Sequence, residues 1–110
     1  MNHSDFLPPQ ILLQFALIRY QKVLDNWRYL DHSQISSYSK CEQALEILLA
    51  RDALQNELKK TENVPVDILS RVVQLDLSLK QNAGEILKAL NLPEYRAGLP
   101  VPPQDWWWHL

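Results

Sequence analysis

Three histidines, one cysteine and a few acids set among apolar residues are the side chains of this sequence with catalytic or ligating chemistry. His3, His32 and His109 have none of the i, i+4 spacing that puts two imidazoles on one helical face for zinc. Cys41 is alone, so it can build neither an internal disulfide nor, by itself, a thiolate metal site. Its place on an apolar helical side predicts a buried, inert thiol rather than a nucleophile. With Gly84 and Gly98 as the only glycines, a phosphate-cradling loop and a Gly-x-Ser-x-Gly elbow are both excluded. The expectation is therefore no catalytic residue, no metal and no cofactor.

Two acids stand apart from the solvated ones. Asp76 lies between Leu75 and Leu77, and Asp52 follows Arg51 where an apolar stripe changes direction. Two readings are open for a carboxylate at such an edge: it pairs with an arginine of another helix and fixes register, or it points to water. Nothing in their spacing makes the two an acid/base pair.

The other feature is aromatic. Residues 92–110, LPEYRAGLPVPPQDWWWHL, hold four of the seven prolines and three of the four tryptophans. Pro100, Pro102 and Pro103 favour an extended, partly polyproline segment. Burying three indoles at about 200 Å² each would be worth up to roughly 15 kcal/mol before ordering entropy, so they will not stay in water. Three destinations are open: the tail folds back onto its own helices, docks into another protein, or sits at a membrane interface. In an extended tail Trp107 would point away from Trp106 and Trp108.

The elements that position these residues are helical. Leu13, Leu17, Tyr20, Leu24 and Trp27 recur at four- and three-residue steps, and Ile11, Phe15 and Ile18 widen that face, which predicts a first helix from Gln10 to Leu30 packed between two neighbours. Asp31 and Gln34 have capping-box spacing. A second helix is expected from Gln34 to Lys60, with Ile35, Tyr38, Cys41, Leu45, Leu48 and Leu49 giving way to Ile47, Ala50, Leu54 and Leu58. Asn63-Val64-Pro65-Val66-Asp67 reads as a new start. The third helix carries Ile68, Val72, Leu75, Leu79, Ala83, Ile86 and Leu90, with Gly84 marking a close crossing and Asn91-Leu92-Pro93 the stop. Tyr20, Trp27, Tyr29 and Tyr38 are expected to pack one end of the bundle.

Composition agrees. The chain has 110 residues, 46% hydrophobic and 22% charged, which fits one globular domain and is too apolar for disorder. No run of roughly 20 apolar residues supplies a membrane span. A net charge of −2 argues against nucleic acid as a partner, which demands a basic surface. The start lacks the basic and apolar pattern of a secretory signal, so Asn2-His3-Ser4 is a chance glycosylation match.

The stretch Asp76-Leu77-Ser78-Leu79-Lys80 through Tyr95-Arg96-Ala97-Gly98-Leu99, then Pro102-Pro103-Gln104-Asp105-Trp106-Trp107-Trp108, resembles the ending of uncharacterised small helical proteins of cyanobacteria. The likeness covers the last third of the chain. It implies a helical module near a membrane or a larger assembly and transfers no activity.

The sequence thus predicts an all-α chain: an arm over 1–9, an antiparallel up-down-up three-helix bundle over 10–91, and a Pro/Trp-rich tail over 92–110. It predicts a non-enzymatic, cytoplasmic protein–protein interaction module, an adaptor or a small subunit. Trp106, Trp107, Trp108, Pro102, Pro103 and Leu110 are its candidate partner-binding residues. A homodimer is a second route through the helix faces. The alternative is a module anchored at the cytoplasmic membrane surface by the tryptophans.

Overall fold

The computed structural model describes residues 9–101 and 103–110, so residues 1–8 of the N-terminal arm, with His3 and the glycosylation match, and Pro102 lie outside the described residues. Most described residues are helical, with no strand among them. Five α-helices follow in order: α1 (Pro9–Tyr29), α2 (Ser37–Lys60), α3 (Val66–Gln81), α4 (Ala83–Leu90) and α5 (Leu92–Ala97). A 3-10 turn, Trp106–His109, closes the chain.

The first helix follows its heptad spacing. Leu13, Tyr20, Leu24 and Trp27 are buried, and α1 packs chiefly along α2 and less extensively against α3. The second helix starts later than the capping-box reading placed it. Ser36 caps it, accepting from the Ser39 backbone N–H at 3.1 Å, and Asp31 instead holds the preceding turn by accepting from the Ser33 N–H and hydroxyl. Those two bonds hold the Asp31 carboxyl below its ordinary range, the Ser33 hydroxyl contributing most. Ala44, Ile47, Leu48, Ala50, Arg51 and Leu54 are the buried residues of α2.

The third predicted helix is two. At Asn82 the backbone N–H is shared between the carbonyls of Ser78 and Leu79, and the side-chain amide donates to Ser78 O at 2.7 Å, so the side chain competes with the helical ladder and α3 ends there. The core row runs on regardless: Ile68, Val72, Leu75 and Leu79 from α3, then Ile86 and Leu90 from α4, which lies against α2. Gly84 is not a close crossing. It lies exposed in the first turn of α4, and a methyl group added there would meet nothing within 4 Å.

The region expected to be extended is partly helical. Asn91 takes the left-handed conformation (φ 48°, ψ 58°) that ends α4, and Pro93 then sits in the first turn of α5, where its fixed φ and missing N–H fit. The aromatic end is smaller than its spacing suggested: Tyr20 and Trp27 are buried, whereas Tyr29 and Tyr38 are exposed.

Candidate functional site

The chain's one buried charged side chain among the described residues is Arg51, 5% exposed in the middle of α2. A guanidinium there must find an anion or destabilise the fold. Its partner is Asp76 of α3: Arg51 Nε donates to Oδ1 at 2.9 Å and a terminal nitrogen donates to Oδ2 at 3.2 Å, a two-pronged pair across helices. The other terminal nitrogen donates to Gln55 Oε1 at 3.1 Å. From α1 the Tyr20 hydroxyl donates to Asp76 Oδ1, the oxygen that also accepts from Arg51 Nε, at 2.8 Å, so three helices meet at one carboxylate. Of the two readings open for Asp76, the structure has the inter-helix arginine pair.

Burial is the main reason that the Tyr20 hydroxyl holds its proton far above the ordinary 10.0. The Asp76 charge and the hydrogen bond to it add to the effect, while Arg51 pulls the other way. The unfolded chain releases this proton near pH 10.0 and the folded chain keeps it, so the linked stability is complete below that pH and is lost as pH rises past it. In urea unfolding between about pH 9 and 11, wild type should lose more stability than Tyr20→Phe. Parallel curves would contradict this assignment.

The tail closes over the same part of α2. Asp52 Oδ1 accepts the indole N–H of Trp107 at 2.7 Å and that of Trp108 at 2.9 Å. The Trp107 ring also covers the Arg51 guanidinium, 4.3 Å from its centroid. Trp108 stacks on Tyr95 of α5 at 5.9 Å and 7° between planes. Trp106 stands edge-on to Trp107, is 38% exposed, and carries the Lys80 ammonium over its face at 4.7 Å.

The tryptophans do not alternate as an extended tail would make them. The 3-10 turn, with the Trp108 N–H bonded to Asp105 O, turns Trp107 and Trp108 inward together. Of the other candidate partner residues, Leu110 packs against the core and Pro103 is half-buried, its carbonyl accepting from His109 Nε2 at 2.9 Å. Arg96 contacts the other nitrogen of that histidine. Cys41 is half-buried against the core.

Arg51, Tyr20 and Gln55 form the centre that sequence reasoning missed. The signal was there for Arg51: steps through Ala44, Ile47 or Leu48, Arg51, Leu54 and Leu58 place a cation in the seam itself.

Ile11, Phe15 and Ile18 do not widen the core face as expected, because at about 100° per residue they fall on the outer side of α1, in a second row. Ile11, Phe15, Ile18, Lys22, Asp25 and Tyr29 recur at four, three, four, three and four residues, on the face opposite Leu13, Tyr20 and Leu24. Phe15 is 57%, Ile18 60% and Tyr29 80% exposed. Ile18, Lys22 and Asp25 border a shallow groove on that face. Among the described residues no group of three or more His, Cys, Asp or Glu side chains could hold a metal ion, and no helix is long and apolar enough to cross a membrane. No family model, curated protein or solved structure matches this chain.

Proposed function

We propose that this chain is a non-enzymatic helical interaction module built on an antiparallel three-helix core. Its docking surface is the outer face of α1, and its occupant is a second copy of the chain. The observation that carries this reading is the exposure of Phe15, Ile18 and Tyr29 within that row, because large apolar side chains at seam spacing on a face turned from the core leave apolar surface in water. The charges within the row favour self-pairing of one sense. Parallel copies would oppose Lys22 to Lys22 and Asp25 to Asp25. Antiparallel copies bring Lys22 against Asp25 of the other copy, twice by symmetry, and set Ile18 beside Tyr29.

The buried indoles have another task in this reading. Trp107 and Trp108 brace the module from inside, and Trp106 remains at its surface. Sedimentation equilibrium over a concentration series is the test. Wild type should dimerise, and Ile18→Glu with Tyr29→Glu should be monomeric with unchanged helical circular dichroism. Lys22→Asp should weaken the dimer, and adding Asp25→Lys should restore it. A wild-type monomer throughout, or a monomer that co-sediments with vesicles, would overturn the reading.

A further inference from the structure

A cleft of about 340 Å³ opens where the end of α1, the start of α2 and α4 meet. It is separate from the Arg51–Asp52 centre and from the outer face of α1. Its walls include Trp27, His32, Ser37, Lys40, Glu85 and Lys88. Lys40 and Lys88 come from different helices, and neither has an ion-pair partner among the described residues. Two unpaired ammoniums at one cleft outweigh the single carboxylate of Glu85.

The remaining groups are donors as well. Trp27 is only 1% exposed, yet its Nε1–H has no acceptor among the described residues, a costly state for a buried indole. Its backbone carbonyl accepts from His32 Nε2 at 3.1 Å, and the His32 ring stands edge-on to the indole at 4.6 Å. That pair holds the cleft wall in place. Ser37 is the first residue of a 24-residue helix. Its own N–H and that of Tyr38 lie outside the helical ladder, at the positive end of the dipole.

We infer that this cleft binds a small organic anion. The phosphate or carboxylate head sits between Lys40 and Lys88 at the start of α2, and a compact apolar body rests against Trp27 and Ala89. Two features converge on one chemistry, unpaired cations from two helices and the open end of a long helix, and the Trp27 ring gives the same cleft an apolar wall. The volume falls within the range of small-molecule sites, at its lower end of about 300 Å³.

The experiment follows the tryptophan indole N–H signals in nitrogen-15 spectra while phenyl phosphate, and separately inorganic phosphate, is added at constant ionic strength. The Trp27 signal, assigned through its proximity to the His32 ring, should shift and saturate with phenyl phosphate, and inorganic phosphate should bind more weakly. Lys40→Gln with Lys88→Gln should weaken binding by at least about tenfold, with helical circular dichroism and the Trp107 signal unchanged. Lys88→Gln alone, at an exposed position, should weaken it in the same direction. Shifts that fail to saturate, that persist in the double variant, or that are absent would overturn the proposal. Equal affinity for the two probes would overturn the apolar subsite.

Discussion

Replacing Arg51 by alanine will cost about 3 to 5 kcal/mol, because the change removes one member of a buried pair and leaves the other without its counter-charge. Asp76 would keep only the Tyr20 hydroxyl, and Trp107 would lose the cation beneath its ring. Domains of this size have about 5 to 15 kcal/mol in total, so the variant should lose between about a fifth and all of its stability. Asp76→Leu should cost a similar amount, since it strands a guanidinium that is 6% exposed. The informative variant is the double one, Arg51→Met with Asp76→Leu. Apolar side chains of comparable volume leave no orphaned charge, so the double variant should be more stable than either single one. Urea unfolding followed by circular dichroism reads all three. A single variant within about 1 kcal/mol of wild type would show that water reaches the pair and screens it.

The long helices were legible because each buries one stripe at three- and four-residue steps, and that spacing survives whatever the neighbours do. The break at Asn82 was hidden by the same spacing. Leu79, Ala83, Ile86 and Leu90 stay in register through it, while the interruption is made by one side-chain amide reaching back to Ser78. α5 was hidden because Pro93 was read only as the end of the preceding helix, although it fits equally well in the first turn of the next one. Asp76 could be marked as a register device, but its partner could not. The match to Arg51 depends on the axial stagger of α2 against α3, which no local pattern encodes. The tryptophan run was recognised as too apolar to remain wet. The inward turn of Trp107 and Trp108 depends on a 3-10 turn and on Asp52 as acceptor, more than fifty residues earlier in the chain.

Trp107→Ala should cost about 3 to 5 kcal/mol, the ordinary range for emptying a buried indole site. A tail that served only to reach another molecule would leave the unfolding midpoint unchanged, so this variant separates the bracing role from a free docking arm. Asp52 supplies the second half of the argument. Asp52→Ala removes one carboxylate oxygen that satisfies two indole N–H groups, and each orphaned donor carries a penalty of about 1 to 3 kcal/mol. Asp52 is only half-buried, so water will replace part of the loss and the sum should fall near the lower end, about 2 kcal/mol. If the bonds themselves are responsible, the same Asp52→Ala change should cost much less in a chain already carrying Trp107→Phe and Trp108→Phe, where no indole N–H remains to be stranded. Tryptophan fluorescence should shift to the red in Asp52→Ala as the rings loosen from α2. An equal cost in both backgrounds would assign the effect of Asp52 to the helix that carries it, and the indoles would then be held by packing alone.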